Sequence, residues 1–431
     1  MPRGRNKGDQ MEKESICLHG GYNPKSGEAN VLPIYQSTTY AYDTPEEMAH
    51  LFDVPKDGHI YTRISNPTVA AFEEKISMLE GGVAAMMTSS GQAATLVTVL
   101  TVAQSGDNIV AFPTVYGGTF NLLKVTLDKL GIECRFVKPG MTDEEIEGLI
   151  DSRTKLMFGE TIANPAMVIF DFDRYAALCK KHKLLLAVDN TLATPCLVNP
   201  FKYGVNVVVH STTKYLDGHA VAVGGIVVDG GNFEFRGNPR YEDFNIPDES
   251  YHGTVYVDEG GPAAFVLKAR MQYMRDMGVS PSPFNAFLTN LGTETLHLRM
   301  KKHSENALEI ARLLKKNDKI SWVKYCGLED DPAHELAAKY FEGGFGGMVC
   351  FGVKGGRAKA ADFIRNLSFI RQLTHIADSR TCVLHPASTT HRQLSDSELI
   401  DCGISEDFIR LSVGLESAKD IYADIEQALN K

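Results

Sequence analysis

The chain has 431 residues, 43% of them apolar and 23% charged, with a formal net charge of −10. That length exceeds the usual single hydrophobic core and predicts two domains of an ordinary globular protein. The acidic balance argues against nucleic acid or an anionic membrane as main partner, and no apolar run has the length to span a bilayer.

The opening stretch, MPRGRNKGDQMEKE, is basic but lacks the apolar core of a secretory signal. The expectation is a cytoplasmic protein with a frayed first ten or so residues, Met11 being an alternative start. The eight cysteines (Cys17, Cys134, Cys179, Cys196, Cys326, Cys350, Cys382, Cys402) form no C-x-x-C and no zinc-spaced group with histidine. Free thiols in a reducing compartment, and no metal, are expected.

Residues 1–62 are rich in Pro, Gly, Ser and Thr and read as an N-terminal arm. Ser65 or Asn66 then caps a helix that Pro67 opens and Gly81-Gly82 stops. A short strand over 84–88 leads into Ser89-Ser90-Gly91-Gln92 and an apolar helix. Such a turn is either a tight connection or an anion site made of free helix N–H groups. It has neither a dinucleotide glycine fingerprint nor a P-loop lysine.

The theme repeats, with a strand at 107–112, a loop carrying Tyr116 before Gly117-Gly118, and a helix over 120–131. Tyr116 reads either as core packing or as an aromatic offered to a ligand. Strand, helix and strand follow at 134–139, 142–150 and 155–161, then a turn at Asn164-Pro165. A helix over 172–183 precedes the buried strand 184–191, which contains Asp189. This alternation predicts an α/β fold: a mostly parallel sheet with helices on both faces and function at the carboxyl ends of strands.

The densest signal is VNVVVHSTTKYLDG, residues 205–218. A buried strand runs into His210, Ser211, Thr212, Thr213 and Lys214. Alone, S-x-T-K reads as a solvated surface loop. But Gly91, Tyr116, Asn164, Asp189 and Lys214 all fall at strand carboxyl ends, and the last two on consecutive strands. A ligand with a phosphate, a ring nitrogen that gains from protonation and an aldehyde would engage every one of them. Gly91, Gln92, Ser211 and Thr213 would take the phosphate and Asp189 the ring nitrogen. Tyr116 would stack on the ring, Asn164 would bond its hydroxyl, and Lys214 would form the Schiff base. That ligand is pyridoxal 5'-phosphate.

A further strand at 222–229 precedes Gly/Pro/acid-rich sequence to about 262, then a boundary helix over 262–278. Residues 282–316 read as a helix pair with one solvated face, and alternating strands and helices continue to Gly414. The expected division is an arm at 1–62, a cofactor domain at 63–279 and an α+β domain at 280–431. Arg410, inside an apolar strand, needs a partner: a structural salt bridge or a substrate carboxylate.

The stretches YTRISNPT, SSGQAA, YGGTF, ETIANP, AVDNT, HSTTKYLDGH, HPASTTH and IRLSVGLE together resemble the pyridoxal-phosphate enzymes of cysteine and methionine metabolism. Within them the chain looks most like the O-acetylhomoserine sulfhydrylase subgroup, by length, by VVDGGNF and by the insertion through PDESYHGTVY. The resemblance implies the aspartate-aminotransferase type of fold (fold type I) and a homotetramer of two intimate dimers. It implies Tyr61 and Arg63 reaching the phosphate from the neighbouring subunit, and Arg410 holding the substrate's α-carboxylate. The implied substrates are an amino acid and sulfide, in a γ-replacement of methionine biosynthesis. Alternatives are cystathionine γ-synthase, a methionine γ-lyase, or a non-catalytic relative of the fold. Gly118 stands where methionine γ-lyases typically carry cysteine. His375 and Ala377 stand where relatives usually have Ser or Asn and then glycine, in a loop that shapes the carboxylate site, so His375 joins the substrate-binding candidates.

Overall fold

A computed structural model describes residues 11–53, 58–389 and 404–431. The first ten residues, Cys402 and the last two residues of HPASTTH lie outside them.

The predicted arm holds two short helices, α1 (Lys13–His19) and α2 (Pro45–Asp53). Composition alone gave little sign of either helix. Ile16 and Cys17 of α1 are buried in one core with Phe72 and Ile76 of the next helix, so packing rather than propensity forms this seven-residue element. That next helix, α3 (Pro67–Glu80), starts as read: the Asn66 side chain accepts the N–H groups of Thr68 and Val69, and Gly81 ends it at φ +76°.

Strand β1 (Ala84–Thr88) leads to α4 (Gly91–Val102), β2 (Asn108–Ala111) and α5 (Gly117–Asn121). The helix predicted from residue 120 therefore begins three residues earlier, directly after Tyr116, and continues through a π-type turn at Leu122–Thr126. Strands β3 (Glu133–Phe136), β4 (Thr154–Glu160), β5 (Leu185–Asp189), β6 (Val207–His210) and β7 (Gly225–Asp229) complete the first sheet.

Its order is β1-β7-β6-β5-β4-β2-β3, and only β7 runs against its neighbours. Period-two alternation puts Met157, Leu186, Val188 and Val208 on one face with α3, and Leu156, Phe158, Ala187 and Val209 on the other with α4. Both faces are thus buried, as a near-continuous apolar strand sequence requires.

A second sheet is built from β8 (Ile320–Lys324), β9 (Met348–Val353), β10 (Arg371–Gln372), β11 (Cys382–Leu384) and β12 (Phe408–Ser412), in the order β10-β11-β12-β9-β8. It has a core of its own, to which the closing helix Ala418–Leu429 contributes Ile421 and Ile425. Sequence reading passed over β10, β11 and that helix. No helix among the described residues is long and apolar enough to cross a membrane.

Helices Pro283–Glu294 and Leu296–Lys316 meet at Thr295 and grip the segment that follows Lys214. The Arg299 guanidinium donates to the carbonyls of Tyr215 (2.8 Å) and Gly292 (2.7 Å), and the Thr293 hydroxyl to Leu216 O (3.2 Å). A Cβ on Gly292 would sit 2.1 Å from the Asp217 carbonyl oxygen, and Gly218, at φ +68°, faces Arg299 equally closely. Backbone meets backbone here. Gly292→Ala should therefore destabilise the chain by about 1–3 kcal/mol through overpacking, seen as a lower urea midpoint at unchanged m-value.

Candidate active site

Because β5 and β6 are parallel neighbours, their carboxyl ends share one rim, with Asp189 opposite Val209. The carboxyl ends of β1, β2 and β4 open onto the same rim, and β12 of the second sheet closes over it. The cavity between them, about 250 Å³, is lined by Gly91, Gln92, Tyr116, Asn164, Asp189, Ser211, Thr213, Lys214 and Arg410. Nine of the predicted site residues are thereby brought together.

One end of the cavity suits an anion. Ser90 caps α4 by accepting the Ala93 N–H (3.1 Å), which leaves the first-turn amides of Gly91 and Gln92 outside the helical hydrogen-bond ladder. Gly91 is there because nothing larger fits: a Cβ would lie 2.6 Å from the Ser211 Cβ. The backbone N–H of Ser211 donates to Thr191 Oγ1 (2.8 Å), and Thr213 Oγ1 accepts the Gly224 N–H (3.1 Å). Both hydroxyl-bearing residues are so fixed by their neighbours.

Asp189 accepts the backbone N–H of Thr191 (2.9 Å) and also its hydroxyl. Burial raises its pKa against these bonds, so the carboxylate gains from a positive partner. Beside it in register stands Glu160, which sequence reading did not single out although it ends the apolar strand KLMFGE. Glu160 accepts the N–H groups of Tyr116 (2.6 Å) and Asn164 (3.3 Å), tying two rim loops to one side chain. Burial, then the charge of Asp189, push its pKa well above the carboxylate range.

Lys214 is lowered to about 8, first by burial and then by the Arg410 guanidinium. Its Nζ stands 3.3 Å from Nδ1 of His375, whose own neighbours Thr374 and Ile376 line the cavity. Arg410 is buried; it donates to Asn164 Oδ1 (3.3 Å) and to Thr374 O (3.2 Å). Among the described residues it forms no ion pair, and the structural salt bridge that spacing allowed is not found there.

Tyr116 is 53% exposed rather than core, and its ring lies over Gly118, where a Cβ would come within 2.5 Å of it. Tyr61 and Arg63 do not line this cavity. Arg63 donates to the Arg275 carbonyl and stacks 5.2 Å from the Tyr61 ring centroid.

A family model described as Cys/Met metabolism PLP-dependent enzyme matches residues 14–430. The chain is 42% identical to an O-acetyl-L-homoserine sulfhydrylase of Leptospira meyeri, over 99% of each chain. It is 41% identical to a homocysteine synthase of Schizosaccharomyces pombe, over 96% of this chain and 97% of that one. A Campylobacter jejuni crystal structure described as an O-acetylhomoserine (thiol)-lyase superposes with a TM-score of 0.93 at 37% identity. It covers 98% of this chain and 100% of its own, and carries pyridoxyl-lysine phosphate.

Gly91→Ala should pry α4 from Ser211 and cost pyridoxal phosphate affinity about tenfold or more, the worth of one charge-assisted hydrogen bond. Absorbance titration of the cofactor measures it; unchanged affinity would put the phosphate elsewhere.

Proposed function

The chain belongs to the Cys/Met metabolism PLP-dependent enzymes, and on that premise we propose that it is an O-acetyl-L-homoserine sulfhydrylase. It converts O-acetyl-L-homoserine and sulfide to L-homocysteine and acetate. The observation that carries this is full-length similarity to sulfhydrylases and homocysteine synthases, joined to a cavity holding a lysine of lowered pKa, a buried acid and a guanidinium with no ion pair among the described residues.

The residues suit the cofactor on the chain's own chemistry. The Gly91 cradle is one that a Cβ would fill, the first-turn amides of α4 lie beside Ser211 and Thr213 in the cavity lining, and Asp189 stands where a cationic ring nitrogen would relieve its burial. Bound pyridoxal phosphate supplies an aldehyde that condenses with amines and a ring that draws electrons from the carbon on that nitrogen. Gly91, Gln92, Ser211 and Thr213 would hold the phosphate, Asn164 would bond the ring hydroxyl, and Tyr116 would stack on the ring.

Lys214 would anchor the cofactor and, as a free amine, would carry the α-proton. With a pKa of about 8, roughly a tenth of its amine is neutral at pH 7, against well under a thousandth for an ordinary lysine. Arg410 orients the substrate through its α-carboxylate. At the γ-carbon the C–O bond breaks with its electron pair going to acetate, and the sulfur of sulfide makes the new C–S bond.

Tyr61 and Arg63 complete the phosphate site of a neighbouring subunit, in a homotetramer of two intimate dimers. That neither lines the cavity of its own chain supports this. A cytoplasmic location is supported by the composition.

Three substrate mixtures test the activity: O-acetylhomoserine with sulfide, O-acetylhomoserine with cysteine, and methionine alone. Homocysteine from the first is expected to dominate; faster cystathionine or methanethiol formation would overturn the assignment. Lys214→Ala should nearly abolish turnover with the fold intact by circular dichroism. Arg410→Ala should act chiefly on KM, by about a hundredfold for a lost bidentate carboxylate contact, with a smaller change in kcat.

A further inference from the structure

We propose that His375 is the positioning residue for Lys214, its Nδ1 accepting an N–H of the free amine and so fixing both where the proton-carrying nitrogen stands and how readily it holds its proton. This rests on Lys214 being the cofactor lysine. The contact is 3.3 Å between side chains 161 residues apart, made across the two sheets.

The segment carrying His375 is held on both sides. The Thr374 carbonyl accepts from Arg410 (3.2 Å), and the Ala377 N–H donates to Ser412 Oγ (2.8 Å). Ala377 sits at φ +63°, a left-handed conformation that a residue with a Cβ adopts only when its surroundings impose it. Cys382 Sγ lies 3.2 Å from the His375 carbonyl. An acceptor anchored this way cannot follow the lysine; the lysine comes to it.

The groups around the imidazole keep it neutral. Burial acts first, then the charge of Lys214; Arg380 and Arg410 add to it, and Asp378 alone opposes them, leaving a pKa of about 4. A neutral ring whose Nδ1 accepts carries its proton on Nε2, and Nε2 is buried with no hydrogen-bond partner among the described residues. The ring's hydrogen bonding is therefore what Nδ1 does with Lys214. No proton passes to His375 in this role. The proton moves between the substrate carbon and Nζ, and the N–H···Nδ1 bond stabilises Nζ while it is an ammonium.

A neutral acceptor raises the pKa of the amine above the value that burial and Arg410 would leave it. Removing the acceptor while keeping a flat ring, in His375→Phe, should lower the Lys214 midpoint by about one unit. His375→Asn, which keeps an acceptor, should fall between. The measurement is competitive acetylation of the full-length, cofactor-free chain between about pH 6 and 10, counted at Lys214 by peptide mass spectrometry. His375→Leu provides a second variant without an acceptor, should the Phe variant not fold. A midpoint unmoved in a folded Phe or Leu variant overturns the inference. The same preparations, reloaded with pyridoxal phosphate, reduced with borohydride and mapped, separate the two levels. A pyridoxyl label on Lys214 upholds the lysine's assignment whatever the midpoints show, and a label elsewhere overturns both.

Discussion

The in-register parallel pairing of β5 with β6 is the constraint on which the rest depends. It sets Asp189 opposite Val209, five residues before Lys214, so that an acid and an amine reach one cavity from adjacent strands. A slip of one residue would turn every side chain of β6 to the other face, burying Val208 where Val209 belongs and carrying the 211–214 turn off the rim. Both faces of these strands are fully packed, so the slip is opposed along their whole length.

Burial then does the electrostatic work. It raises Asp189 and Glu160 and lowers Lys214 and Arg410, each toward its neutral form. One small cavity is lined both by acids that gain from a cation and by cations that gain from an anion. A ligand bearing a phosphate, a basic ring and a carboxylate-bearing substrate answers each of these demands. The low dielectric that penalises the groups alone strengthens them when paired.

Much of this was legible in the sequence. VNVVV and LLLAV announce buried strands through β-branched and apolar runs, and the polar residues just beyond them mark the rim. Glu160 was missed because a single acid ending a strand looks like any surface turn; only its two amide partners, 44 and 4 residues away, mark it. The closing helix does carry a readable apolar stripe at Ala418, Ile421, Ile425 and Ala428. By contrast α1 is too short for any periodicity to show, and it exists because α3 offers it a buried face. The antiparallel course of β7 has no local sequence signal at all. His375 stood out as a departure from its relatives, but its meeting with Lys214 is a tertiary fact.

The backbone contact between Gly292 and residues 216–217 carries one more implication. Where main chain touches main chain, no rotamer is available to absorb error, so the reach of Lys214 is inherited from the skeleton rather than tuned by side chains. That wall of the pocket is rigid ground for anyone redesigning the enzyme.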